Sequence, residues 1–184
     1  MESFRPGVMG WLGPGYTTLS VVNFRLVYCA ISGAGQTAQY RDEARYNLKI
    51  KVLSGIMPLT GHEEMGPTRG AGFAVCDVLC GTTAAFAASS AFFQRARTGP
   101  GQFSEVPMPE ASLAFLSTEV ADFTVADPWQ ERSANQVISR KVATNRFRAN
   151  DRFRCWGANN RRYYDALMRT IGRTEVLGDP RFVD

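Results

Sequence analysis

Residues 72–102 decide the fold of this chain and read GFAVCDVLCGTTAAFAASSAFFQRARTGPGQ. The stretch is mostly small and apolar, but one carboxylate, Asp77, lies near its start. Two arginines precede the closing T-G-P-G, an order typical of a helix end. The pattern therefore predicts a helix from about Asp77 to Arg97, with Asp77 in the first turn, where the helix dipole favours a negative charge.

Asp77 requires a chemical explanation. A carboxylate that enters an apolar helix costs several kcal/mol unless it is hydrogen-bonded or used chemically. The commoner role for an aspartate at a helix start is to cap the free backbone N–H groups. From the residues alone, a capping role and a reactive role both stay open.

The wider sequence bears on that choice. The pattern G-x-A-V-x-D-x-L-x-G, a helix of small residues and then R-x-R-T-G-x-G-Q resembles the class III CoA-transferases. This family includes the formyl-CoA and carnitine CoA-transferases, is also described as CaiB/BaiF-like, and contains α-methylacyl-CoA racemase. Order and spacing are kept in further segments that look like the family's middle section, namely Phe4–Met9, Gly13–Tyr16, Asn23–Gly33, Gly35–Thr37, Tyr40–Asp42, Ser54–Met57 and Gly178–Phe182.

The resemblance implies an α/β fold and only the central part of it. We expect a fragment, consisting of a Rossmann-like large domain that lacks its N-terminal half, followed by the start of the small domain. The implied boundaries are 1–126 for the partial large domain with the Asp77 helix, 127–143 for a linker, and 144–184 for the start of the small domain, which contains a hairpin and a helix.

Local patterns predict the individual elements. Residues 25–32, RLVYCAIS, are typical of a buried parallel strand, and the glycine loop 33–37 follows where α/β folds place ligands. A second strand is predicted over 102–106 and a hairpin over 145–156. Helices are predicted over 6–12, 16–23, 46–57, 77–97, 109–125 and 160–172.

The resemblance also implies a mechanism. The family's aspartate that matches Asp77 is the nucleophile, which attacks an acyl-CoA thioester to form a mixed anhydride. The released CoA thiolate converts this to an aspartyl-CoA thioester, and an acceptor carboxylic acid takes the CoA. Backbone N–H groups at the helix start, next to Gly72 and Gly81, would hold each developing oxyanion. The implied substrate- and CoA-binding residues are Phe4, Gly33, Gly35, Gln36, Tyr46 and Asn47.

The implied partners follow from that chemistry. Coenzyme A takes part as a substrate thioester, and the other substrates are an acyl-CoA and a small carboxylic acid. A homodimer, or a separate partner that supplies the missing half, is expected. No apolar leader segment opens the chain, so the expected compartment is the cytoplasm.

Composition excludes other classes of protein. The 184 residues are 45% hydrophobic and 21% charged with net charge +4, which is typical of a globular domain. Four scattered cysteines and a single histidine, His62, favour neither a disulfide framework nor a metal site. No recognised nucleic-acid-binding module surrounds the basic residues. Residues 73–93 are long enough to span a bilayer, but Asp77 and the polar small residues favour a buried core helix, so no membrane is expected.

Several positions depart from the family pattern. Ser3, Trp11, Ala44 and Lys51 replace residues that are common in the family, and Asn47 replaces the acid that usually follows Tyr46. Two alternatives to a transferase therefore stay open. One is a non-catalytic or vestigial fragment of such an enzyme, and the other is racemase-like exchange of an acyl-CoA α-proton. The racemases use a histidine where this chain has Tyr46, whose ordinary pKa near 10 makes it a poor second base.

Overall fold

A computed structural model describes residues 1–43, 46–61, 72–125, 144–158 and 160–182. The chain divides into two compact units, Met1–Thr60 with Pro67–Glu131 and Gly61–Gly66 with Arg132–Asp184. The first unit contains the parallel strands and the long apolar helix, and the second contains an antiparallel hairpin. The predicted linker 127–143, together with Ala44 and His62, lies outside the described residues.

A parallel pair of strands forms the sheet of the first unit. Strand β1 (Tyr28–Ser32) pairs with β2 (Phe103–Pro107), in a register that runs from Tyr28 opposite Phe103 to Ser32 opposite Pro107. On the other edge of β1, Glu2 forms a parallel bridge with Ala30. The predicted parallel strands are therefore confirmed, and Pro107 lies at a strand end, where its missing N–H costs no ladder hydrogen bond.

Eight α-helices are present among the described residues. In the first unit they are α1 (Val8–Leu12), α2 (Tyr16–Val22), α3 (Asn47–Leu53), α4 (Ile56–Leu59), α5 (Val75–Thr98), α6 (Met108–Phe115) and α7 (Ser117–Val125). The second unit contributes α8 (Arg161–Thr170). The predicted helix 77–97 is thus confirmed as α5, which begins two residues earlier and ends one residue later.

Helix α5 packs one face against the sheet. Cys76, Cys80 and Ala84 on this face are fully buried, in one core with Cys29 of β1 and Val106 of β2. Small side chains at these positions let the helix backbone approach the strands closely, and their burial contributes about 25 cal/mol per Å² of apolar surface.

The opposite face of α5 is exposed, so the predicted core helix is buried on one face only. Phe86 is 76% exposed and Phe93 66% exposed. By length and composition α5 could cross a membrane, a test that core helices of soluble proteins also pass.

Hydrogen bonds from Arg95 and Gly101 to main-chain carbonyls join the end of α5 to the segment before β1, and we call this pair of bonds the clasp. Arg95 donates from Nη1 to the carbonyl of Arg25 at 2.9 Å, and the N–H of Gly101 donates to the carbonyl of Phe24 at 2.8 Å. The carbonyls of Phe24 and Arg25 therefore already accept hydrogen bonds. The strand predicted from residue 25 begins only at Tyr28, whose N–H donates to the carbonyl of Gln102. The R-x-R-T-G-x-G-Q motif therefore has a structural use.

Two predicted helices are each divided in the structure. The helix predicted over 46–57 breaks at Gly55, whose φ of 88° lies in the left-handed region and ends α3 before α4 begins. The helix predicted over 109–125 breaks at Leu116, where ψ reaches 27°.

The second unit matches its sequence pattern. Strands β3 (Thr144–Arg148) and β4 (Phe153–Gly157) form an antiparallel hairpin, as predicted. The side chain of Asn160 caps α8 by accepting from the N–H of Tyr163 at 3.0 Å. Two short 3-10 helices, Thr174–Gly178 and Pro180–Phe182, follow α8.

Candidate functional site

Asp77 is the third residue of α5, and its side chain is exposed. The last turn of α5 contacts Arg25, which precedes β1, so the helix runs antiparallel to the strands. Its first turn therefore lies towards the carboxyl ends of β1 and β2, the edge at which open α/β sheets bind ligands. The sequence suggested that a carboxylate in this apolar helix would carry a desolvation cost. Because the side chain of Asp77 is exposed, that cost does not arise.

The start of α5 is organised by hydrogen bonds from outside the helix. Ala74 at the N-cap provides no side-chain cap. Instead, the N–H of Cys76 donates to Oδ1 of Asn47 of α3 at 3.1 Å. The N–H of Val78 makes the first bond of the helix itself, to the carbonyl of Ala74. The N–H of Asp77 makes no hydrogen bond to another described residue. This arrangement leaves a backbone donor directly at the candidate nucleophile.

Two residues of α3 hold the segment that leads into Asp77. Asn47 binds the backbone of Cys76, and Lys51, one turn further on, donates from Nζ to the carbonyl of Phe73 at 2.7 Å. Lys51 is only 4% exposed. Both side chains bind the backbone that precedes or begins α5. Asn47 therefore caps the start of α5. Its contact with CoA stays a prediction.

The glycine loop after β1 is held by side chains. The N–H of Gly35 donates to Oγ of Ser32 at 3.0 Å, and the N–H of Gln36 donates to Oε1 of Glu105. Gly35 has a φ of 94°, which a residue with a Cβ rarely adopts. Sequence reasoning missed Glu105, although an acid in the centre of a predicted strand was a usable signal.

A cavity of about 370 Å³ opens on the sheet face opposite α5. An aromatic cluster of Tyr16, Tyr28 and Phe103 forms one side of it, with ring centroids 5.3–5.8 Å apart. The remaining lining residues are Glu2, Gly7, Met9, Gly10, Gly15, Thr17 and Gln36. The cavity therefore contacts one predicted CoA-binding residue, Gln36, and several residues of the segments Phe4–Met9 and Gly13–Tyr16.

The predicted CoA-binding residues do not form one cluster. Asn47 binds the backbone at the start of α5, whereas Gln36 is hydrogen-bonded to Glu105 and Gly35 lies next to that carboxylate. Tyr46 is 74% exposed, and Phe4 is 52% exposed and does not line the cavity. In the described residues, no group of three or more potential metal ligands occurs.

The thiol of Cys80, one turn from Asp77, is not a competing nucleophile at neutral pH. Burial raises the pKa of Cys80 from an ordinary value of 9.0 to about 11, and the charges of Cys76, Asp77 and Glu110 add to the increase. The thiolate is the reactive form of cysteine, so this thiol stays protonated and unreactive.

We therefore expect the protein to lose stability at alkaline pH through Cys80. Its folded pKa is higher than its unfolded pKa, so the contribution is fully present below pH 9 and is lost as the pH rises towards 11. The loss should be about 2 kcal/mol over this window. Urea unfolding across the window measures it, and Cys80→Ala should reduce the pH dependence by this amount. Cys155→Ala, at an exposed thiol, should leave the slope unchanged; an equal effect of both variants would contradict the assignment.

Known proteins resemble the chain along its whole length. The model of CoA-transferase family III matches residues 1–184. Acetyl-CoA:oxalate CoA-transferase of Acetobacter aceti is 35% identical over 100% of this chain and 47% of its own length. Alpha-methylacyl-CoA racemase of Homo sapiens is 29% identical over 94% of this chain and 45% of its own. The crystal structure of a CAIB/BAIF family protein from Brucella suis matches with a TM-score of 0.83 at 26% identity, covering 98% of this chain and 47% of that one.

The structural match confirms the predicted α/β fold class. The chain spans about half the length of the curated relatives it matches.

Proposed function

The chain belongs to CoA-transferase family III, and we propose that it transfers CoA from an acyl-CoA thioester to a carboxylic acid, with Asp77 as the nucleophile. The observation that carries this proposal is the position of Asp77. It is an exposed carboxylate in the first turn of α5, at the sheet edge where α/β folds bind ligands.

In the first half of the proposed reaction, a carboxylate oxygen of Asp77 attacks the thioester carbonyl carbon of the donor. The C–S bond breaks, CoA leaves as the thiolate, and a mixed anhydride joins Asp77 to the acyl group. The thiolate then attacks the carbonyl carbon of Asp77, which releases the donor acid and leaves an aspartyl-CoA thioester. A covalent intermediate replaces one difficult exchange with easier steps.

In the second half, the acceptor carboxylate attacks the aspartyl thioester and displaces the CoA thiolate, so a second anhydride forms. Thiolate attack on the acceptor's acyl carbon then releases the new acyl-CoA and regenerates Asp77. Each attack creates an oxyanion that needs hydrogen-bond donors. The N–H of Asp77, which makes no bond to another described residue, and the dipole of α5 are suited to this task.

The glycine loop and the cavity complete the proposal. Gly33, Gly35 and Gln36 would contact the acyl group, and part of CoA would enter the cavity beside Gln36. A volume of about 370 Å³ is at the lower end of ligand pockets, so it suits a portion of CoA. Phe4 and Tyr46, both largely exposed, would provide further contacts to the bound thioester.

Racemase-like proton exchange receives less support from the site. It requires a second base that faces Asp77, and the chain has Tyr46 where the racemases use histidine. A phenol hydroxyl is a weaker acceptor of protons than an imidazole at neutral pH.

The test is a transfer assay coupled to trapping of the intermediate. The purified protein is incubated with acetyl-CoA and oxalate, the pair that the Acetobacter relative's name suggests, and with other dicarboxylic acids as acceptors. We expect a new CoA thioester and, with hydroxylamine present, a hydroxamate that maps to Asp77 by peptide mass spectrometry.

Two results would contradict the proposal. Deuterium incorporation at the α-carbon of an acyl-CoA without transfer would favour the racemase alternative. Absence of both turnover and CoA binding by a cooperatively folded protein would favour a non-catalytic fragment.

A further inference from the structure

Glu105 lies in the centre of β2, opposite Ala30 of β1, and its side chain is half-buried. A carboxylate in such a place costs free energy unless its oxygens accept hydrogen bonds. The proposed reaction gives this carboxylate no chemical step. Its partners therefore indicate what it does.

The partners of Glu105 all belong to the glycine loop or its base. Oε1 accepts from the N–H of Gln36 and, at 3.4 Å, from Oγ of Ser32. The Ser32 hydroxyl, which is 3% exposed, accepts in turn from the N–H of Gly35 at 3.0 Å. Two successive loop N–H groups are thus bound, directly or through Ser32, to one carboxylate.

The loop also lies directly against this carboxylate. A Cβ placed on Gly35 would lie 3.6 Å from Oε1 of Glu105 and 3.5 Å from Cβ of Ala38. These are ordinary contact distances, so the loop backbone lies directly beside the carboxylate, and Gly35 has the left-handed φ that favours glycine. The position of the loop is therefore determined by Glu105 on the neighbouring strand as well as by β1.

We propose that Glu105 is a positioning residue, which fixes the glycine loop where it contacts the acyl group of the bound thioester. The inference rests on the proposed function, because only there does the loop meet an acyl group. Without the carboxylate, the N–H of Gln36 would lose its acceptor and the loop would shift. A displacement of about 1 Å at a positioning contact can cost on the order of a hundredfold in rate.

Two variants separate the hydrogen bonds from the size of the side chain. Glu105→Met removes both acceptor oxygens and keeps a similar length, while Glu105→Gln keeps one acceptor for the Gln36 N–H. Amide hydrogen exchange at Gln36 is the direct readout. We expect exchange to be about tenfold faster in Glu105→Met and close to wild type in Glu105→Gln.

Binding of acetyl-CoA and of CoA, measured by calorimetry, is the functional readout. Since the loop contacts the acyl group, Glu105→Met should weaken acetyl-CoA binding about tenfold relative to CoA binding. A general loss of structure would weaken both ligands together. Glu105→Gln should keep the wild-type ratio of the two dissociation constants.

The inference would be overturned if Glu105→Met kept the wild-type ratio of the acetyl-CoA and CoA dissociation constants. It would also be overturned if Glu105→Gln changed that ratio as much as Glu105→Met does. Where Glu105→Met fails to fold, Ser32→Ala removes only the hydroxyl link, and it should speed exchange at Gly35 and weaken acetyl-CoA selectively. An unchanged ratio in Ser32→Ala would again overturn it. These binding measurements do not require turnover. A wild-type protein that binds acetyl-CoA but transfers no CoA would therefore refute the proposed function, and the binding ratios would still decide whether Glu105 positions the loop.

Discussion

Replacing Asp77 by Asn is expected to lower the rate of CoA transfer by about four orders of magnitude or more. The amide is the same size as the carboxylate but cannot attack a thioester, so no anhydride and no hydroxylamine-trappable intermediate should form. The measurement is kcat for transfer from acetyl-CoA, together with mass spectrometry of the trapped protein.

The loss would come from chemistry and not from unfolding. Asp77 is exposed and its carboxylate accepts no hydrogen bond from a described residue, so its stabilising role is the favourable position in the helix dipole. That interaction is worth about 0.3–1 kcal/mol, which leaves the fold intact. Asp122→Asn, at an exposed aspartate of α7, is the matched control and should keep wild-type activity. Transfer or a hydroxamate that persists in Asp77→Asn would reject the mechanism.

Replacing Gly101 by Ala is expected to destabilise the first unit by about 3 kcal/mol or more. A Cβ at this position would lie 2.0 Å from the carbonyl oxygen of Leu26 and 2.5 Å from the carbonyl carbon of Arg25. These are backbone atoms, so no side-chain rotation relieves the clash. The clasp between the end of α5 and the start of β1 must then open, and Tm should fall by roughly 10 °C in a thermal unfolding scan.

Gly81→Ala is the matched control for that variant. Gly81 lies inside α5 with open space around the position of a Cβ. Alanine there should stabilise the helix by about 0.5–1 kcal/mol, because glycine has the greater conformational entropy to lose. A Tm for Gly101→Ala that matches the wild type or Gly81→Ala would show that the close approach at Leu26 is not needed.

Local chemistry was enough to predict much of this protein. The small-residue run, the basic last turn and the T-G-P-G ending located α5 to within two residues, since helix starts and ends depend on neighbouring residues. The hairpin 145–156 followed from alternation around a polar turn. The spaced motifs identified the family, and with it Asp77 as the candidate nucleophile.

Contacts between residues distant in sequence decided the rest. Strand β1 begins at Tyr28 because the carbonyls before it bond to residues about 70 positions later. Asn47 caps the helix of Asp77 from 29 residues away, and Glu105 holds Gln36 from 69 residues away. A pattern of period 2 or 3.6 reports which face of an element is apolar, but not which partner completes a hydrogen bond across the fold. Only the folded chain brings those donors and acceptors together, and the proposed roles of Asn47 and Glu105 depend on it.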